Sequence, residues 1–110
     1  MERPHTSAVP PAGTWLEEYR ERVEQIRARA EAARARIATV TATARTRDGA
    51  VVVTVDQSGH LTGLSIGVRA DDMPRARLAE TVLRLAGEAA ADVAGQVEKI
   101  MEPLISGAGR

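Results

Sequence analysis

Six arginines recur at intervals of seven residues along one stretch of the chain. Arg20, Arg27 and Arg34 form one series, and Arg22, Arg29 and Arg36 the other. Arg45 and Arg47 follow shortly after, separated by one threonine. A guanidinium is permanently charged and presents a planar fork of donors that matches the oxygens of a phosphate. Arginines repeated on a regular scaffold are therefore candidates for contact with a nucleic-acid backbone. Catalysis has no comparable constellation. His5 stands among prolines and small residues, His60 follows a turn, and neither has a nucleophile or metal-ligand partner at useful spacing. Asp71-Asp72 precedes Met73-Pro74 and suits a helix cap better than an acid–base pair. There is no glycine-rich phosphate loop, and without cysteine there is no disulfide framework, thiolate metal site or thiol nucleophile. The expectation is a non-enzymatic protein with no cofactor and no metal.

The arginines need a scaffold, and the apolar pattern supplies one. Leu16, Tyr19, Val23, Ile26, Ala30, Ala33, Ile37 and Val40 recur at spacings of three and four, which predicts a long helix from about Trp15 to Ala38. Thr14 to Glu17 reads as a capping box, with Thr14 as the N-cap. Trp15 and Tyr19 fall on the apolar seam and are expected in the core. With Leu16 as heptad position a, the two arginine series fill every e and every g position. A parallel self-paired zipper would set these like charges against each other, so that arrangement is disfavoured. Glu17, Glu24 and Glu31 interleave with Arg20, Arg27 and Arg34 as a ladder of opposite charges. In the other series only Arg22 has such a neighbour, Glu18. Positive charge is thus expected to accumulate toward the helix end. Arg22, Arg29, Arg36, Arg45 and Arg47 form the candidate DNA-contacting set.

The overall balance of 15 basic and 15 acidic residues does not favour a nucleic-acid binder, unless the charges are segregated. Glu80, Glu88, Asp92, Glu98 and Glu102 make the second half acidic, which leaves the first half as the basic one. Duplex phosphate contact is the mode this composition supports, because single-strand binding needs aromatic stacking platforms.

Thr39 to Val68 is rich in threonine and valine and alternates with period two. Asp48-Gly49 and Ser58-Gly59 mark turns, the first with the residues of a two-residue type I′ hairpin. Two such turns set Ala42, Ala44 and Thr46 opposite Val55, Val53 and Val51. They also set Val55, Val53 and Val51 opposite Thr62, Leu64 and Ile66. One face of the resulting meander collects Ala42, Ala44, Val51, Val53, Val55, Leu64 and Ile66. The other is polar apart from Val52 and Leu61. A second long helix then starts with an aspartate cap and Pro74, and runs along Leu78, Val82, Leu85, Ala89, Val93, Val97 and Ile100 to about Met101. Pro103 is expected to end or kink it. The fold class is α+β: long helix, three-stranded antiparallel meander, long helix. A flexible leader over residues 1–13 and a disordered tail over 106–110 would flank a single domain over 14–105.

Of 110 residues, 44% are hydrophobic, but twenty of these are alanines, phenylalanine is absent, and the aromatics number two. A core so thin predicts that two copies pool their apolar surfaces as a closed homodimer. Gly87, Ala91 and Gly95, four residues apart, would allow another backbone to approach and are the candidate dimer interface. No stretch has the length and apolarity of a signal peptide or membrane span, so a cytoplasmic location is expected.

The order of elements, with Asp48-Gly49-Ala50-Val51-Val52-Val53-Thr54-Val55-Asp56 followed by Gly59-His60-Leu61-Thr62-Gly63-Leu64-Ser65-Ile66, resembles the YbaB/EbfC family of bacterial nucleoid-associated proteins. The shared theme is Gly, then Val-x-Val-Thr-Val, a glycine turn and Leu-x-x-Leu-x-Ile, over most of Thr14 to Met101. The resemblance implies a tweezer-shaped homodimer in the nucleoid that binds double-stranded DNA with low sequence preference. Members tend to carry Met, Gln and Lys in the first helix and a Gly-rich segment before the second strand. Here the helix is Arg, Glu and Ala, and the segment is Arg45-Thr46-Arg47-Asp48-Gly49. This Arg/Ala composition suggests a high-GC bacterium, where divergent paralogues also occur beside secretion genes. The rival function is accordingly a protein–protein adaptor, with a secretion system as one setting, in which the arginine-flanked helix docks an acidic partner.

Overall fold

The computed structural model describes residues 12–108. Its elements are α1 (Ala12–Ala38), β1 (Ala42–Arg45), β2 (Val51–Val55), β3 (Leu61–Ile66), a 3₁₀ turn (Val68–Asp72) and α2 (Arg75–Ala108). The strands form one antiparallel sheet in the order β1-β2-β3. The expected α+β order of helix, meander and helix is what the chain adopts. The leader expected over residues 1–13 lies, up to residue 11, outside the described residues, as do residues 109 and 110 of the expected tail and His5.

The chain divides into a first unit ending at Ala32 and a second beginning at Ala33. In the first unit the helix is continuous, but its seam is not a core. Trp15, Leu16, Tyr19 and Ile26 are 58%, 42%, 53% and 58% exposed, which corrects the expected burial of Trp15 and Tyr19. The two rings stack on each other instead, one helical turn apart with centroids at 5.9 Å. The helix also begins at Ala12, two residues before Thr14. Thr14 therefore stands inside the first turn and does not cap it; Pro10-Pro11, just ahead in sequence, is itself a start signal.

The second unit holds the core. Val51, Val53 and Val55 are fully buried along one face of β2, and Leu85, Ala89 and Val93 come down on them from α2. Val40, Ala42, Ala50 and Ala70 close the cluster from the connections and β1. Each fully buried valine or leucine contributes about 1.5–3 kcal/mol, so this handful of side chains dominates the unit's stability. Thr81, the one buried polar residue among those described, donates its hydroxyl to the Arg77 carbonyl at 2.8 Å, so no orphan group is left.

The β1–β2 register is the expected one: Ala42 faces Val55, and Ala44 faces Val53. Its turn is not the expected type I′, since only glycines have positive φ and Asp48 does not. The chain closes at Thr46 and Val51 around a longer loop, with Gly49 at φ 74° and its N–H donated to the Thr46 carbonyl. A loop of four residues centred on the same point as one of two leaves the pairing unchanged, which is why the register survived.

The second turn spans residues 57–59, with Gly59 at φ 83° and the Asp56 N–H donated to the His60 carbonyl. Three residues shift the pairing by one, and a bulge beside Thr54 and Val55 shifts it back. Leu61, not Thr62, therefore faces Val55, while Leu64 and Ile66 face Val53 and Val51 as expected. Leu61 thereby joins the apolar face of the sheet.

Pro74 stands just before α2 and accepts the Leu78 N–H at 2.9 Å. The expected stop near Met101 is corrected, because α2 continues through Pro103 to Ala108. A helix can cross a proline by giving up one intrahelical bond when its neighbours on both sides remain helical.

Candidate nucleic-acid interface

All five arginines of the candidate set are exposed. Among the described residues none of the five is ion-paired, and Arg22 does not engage Glu18 as its spacing suggested. The ladder proposed along the other series likewise forms no pair among Glu17, Arg20, Glu24 and Arg27. Exposed helical pairs are worth only about 0.3–0.5 kcal/mol, little more than the cost of fixing two long side chains. Unpaired guanidinium groups keep all their donors available to a ligand.

Arg22 and Arg29 belong to the first unit, and Arg36, Arg45 and Arg47 to the second. Arg36 lies in the last turn of α1, where a cation suits the helix dipole. Beside it is a shallow depression lined by Arg36, Thr39, Val40, Thr41, Gln96 and Ile100. The Thr39 hydroxyl donates to the Arg36 carbonyl at 2.8 Å, and Gln96 Nε2 donates to the Thr41 carbonyl at 3.2 Å. The first bond closes the end of α1 on its backbone, and the second ties the residue before β1 to α2.

Arg45 ends β1 opposite Val52, on the sheet face away from α2, with Thr43 beside it along the strand. That face is polar: the Thr43 and Thr54 hydroxyls lie 3.1 Å apart. Arg47 follows in the β1–β2 turn. Arg36 borders a depression shared with α2, whereas Arg45 is on the face of the sheet away from α2, so the two do not converge on one point.

The turn is rigid. Asp48 Oδ1 accepts the Ala50 N–H at 3.0 Å and the Thr46 hydroxyl at 2.8 Å, and the Val51 N–H reaches the Thr46 hydroxyl at 3.2 Å. The Ala50 N–H first, then the Thr46 hydroxyl, hold the Asp48 carboxyl below the usual aspartate range, with the charge of Arg69 adding to the effect.

Arg69 is a cation that reading along the chain missed. It sits in the 3₁₀ turn after β3, docked on the hairpin through the Gly67 N–H to the Ala50 carbonyl at 2.7 Å. Antiparallel pairing brings the end of β3 back beside the first turn, so pairing Ile66 with Val51 was the signal that could have found it. Arg45, Arg47 and Arg69 therefore belong to one end of the sheet, where Asp48 offsets part of their charge.

Gly87 and Ala91 are exposed and Gly95 half-buried, and a Cβ at Gly87 or Gly95 would meet nothing within 4 Å. No close crossing within the described chain uses this line. Glu80, Glu88, Asp92, Glu98 and Glu102 are exposed on α2, where Arg84 and Glu88 pair at 3.0 Å. His60 is exposed, and its acidic neighbour Asp56 is occupied by the turn, accepting the Ser58 and His60 N–H groups at 2.9 Å. Among the described residues no group of histidine and carboxylate side chains could hold a metal, and no helix is long and apolar enough to cross a membrane. A family model described as the YbaB/EbfC DNA-binding family matches residues 13–108. No curated protein matches the chain.

Proposed function

Since the chain belongs to the YbaB/EbfC DNA-binding family, we propose that it acts as a homodimeric, non-enzymatic protein of the cytoplasmic nucleoid that binds duplex DNA through its phosphates. The observation that supports this reading is the set of exposed arginines without ion-pair partners, Arg22, Arg29, Arg36, Arg45 and Arg47. An exposed guanidinium can meet a phosphate, and contacts of that kind fix position without reading sequence. Low sequence preference follows if the arginines meet phosphates and not base edges. Arg69 extends the basic end of the sheet. The acidic face of α2 would be turned from the DNA, since carboxylates beside phosphates oppose binding. Gly87, Ala91 and Gly95 remain open to a partner's backbone in the dimer.

One observation favours the adaptor reading. Trp15, Leu16, Tyr19 and Ile26 are an exposed apolar stripe flanked by arginines, the form of a surface that docks an acidic amphipathic helix. A mobility-shift titration of a random-sequence duplex separates the two readings. The DNA reading expects a shift at low salt that fades steeply as salt rises, by about 0.9 log unit per log unit of salt for each phosphate neutralised. No shift at low salt would reject it in favour of the adaptor.

A further inference from the structure

We infer that the apolar seam of α1 from Trp15 to Ile26 docks a helix of a different protein, one whose own apolar stripe is edged by carboxylates on both sides. The inference rests on the adaptor reading and commits it to one kind of occupant; it holds whether or not the chain also binds DNA. The seam lies wholly in the first unit. Leu16, Tyr19 and Ile26 are exposed along it, with Val23 half-buried between them. From Leu16 to Ile26 it runs three turns or about 16 Å, the footprint of a partner helix of similar length. Trp15 extends it at the start, stacked on Tyr19. Tryptophan, tyrosine and arginine dominate the binding energy of protein interfaces, and this seam with its edges contains all three. Phosphate contact makes no use of the apolar part.

The edges select the occupant. Arg20 and Arg27 line one side of the seam, and Arg22 and Arg29 the other; all four are exposed and, among the described residues, none is ion-paired. Glu17, Glu18, Glu21 and Glu24 fall at the b, c and f positions, behind these arginines. When two helices pair in parallel, each edge of the seam meets the opposite edge of the partner; in an antiparallel pair it meets the same edge. Both edges of α1 are arginine, so a second copy of α1 sets arginine against arginine in either direction. A helix with carboxylates on both edges turns every one of those clashes into an ion pair. Arg22 and Arg29 also belong to the DNA-contacting set. A docked acidic helix and a duplex therefore compete for these two guanidinium groups, which makes the partner a brake on DNA binding.

Trp15 is the single tryptophan of the chain, so its emission reports directly on what covers the seam. The probe is a synthetic helix of about four heptads without tryptophan or tyrosine, with leucine at a and d and glutamate at e and g. Its control carries lysine at e and g. Titrated into the full chain at low salt, the glutamate peptide should move the Trp15 emission to shorter wavelength and saturate, while the lysine peptide leaves it unchanged. Arg20→Glu combined with Arg27→Glu, neither in the DNA-contacting set, should weaken the glutamate peptide by about tenfold or more. If that variant does not fold, the two peptides on the unaltered chain decide alone. Equal shifts from both peptides would overturn the proposal. So would a Trp15 emission that is already that of a covered ring and becomes exposed on dilution, because a second copy would then occupy the seam. A glutamate peptide that binds in calorimetry without moving the emission removes the seam and leaves the adaptor reading standing; no binding at all removes both. Added random-sequence duplex should reverse the shift, and a duplex that binds while the shift persists would overturn the competition. A chain that takes the peptide but no duplex loses the DNA reading and keeps the seam.

Discussion

Replacing Arg29, Arg36, Arg45 and Arg47 together by alanine should abolish most of the salt dependence of DNA binding while leaving the fold intact. Each is exposed and, among the described residues, unpaired, so its removal breaks no ion pair and opens no cavity. If each neutralises one phosphate, four per chain contribute about 3.6 to the slope of log affinity against log salt, and about 7 in a dimer. Between 50 and 200 mM salt a slope of that size corresponds to a loss of about four powers of ten in affinity. The assay is fluorescence anisotropy of a labelled random-sequence duplex, titrated at four or five salt concentrations with wild type and variant. Circular dichroism and thermal unfolding should show the variant folded, with a midpoint close to wild type. A folded variant with an undiminished slope would refute the assignment of these arginines to phosphate contact.

Leu85→Ala should cost about 2–5 kcal/mol, because Leu85 is fully buried against the β2 valines and few other large side chains share the core; the midpoint of urea unfolding reads it, and a loss below about 1 kcal/mol would contradict the core described. The Asp48 carboxylate is held below its ordinary range, so its contribution to stability is present above the ordinary aspartate value and lost as pH falls through the lowered one. Wild type should therefore lose more stability than Asp48→Asn below about pH 4, measured by denaturant titration at several pH values; parallel losses would remove Asp48 from the account of the turn. Gly87→Leu meets open space within one chain and should leave its fold intact while weakening assembly in light scattering; an undisturbed dimer would show that the small-residue line lies outside the interface.

What could be read from residue order follows from how local the determinants are. The meander was legible because its alternation and its two glycine turns are short-range signals. The bulge at β3 was not, because a turn of three residues and one of two share the Ser-Gly pair, and only the strand partners distinguish them. That Arg36, Arg45 and Arg47 are exposed cations was legible from spacing and charge. Arg69 escaped because its place beside the hairpin depends on the return of β3, not on neighbours in the chain. Trp15 and Tyr19 misled for a related reason. An apolar seam announces that something will cover it, but not that the cover belongs to the same chain. The continuation of α2 through Pro103 shows the weakness of a single breaker signal within an otherwise strong helical pattern.

The most direct test is the mass of the complex with DNA. Sedimentation equilibrium of a short random-sequence duplex saturated with protein at low salt should show an increment of two chains of 11.7 kDa per complex. An increment of a single chain, or no increment, would contradict a two-copy protein that grips the duplex through its phosphates.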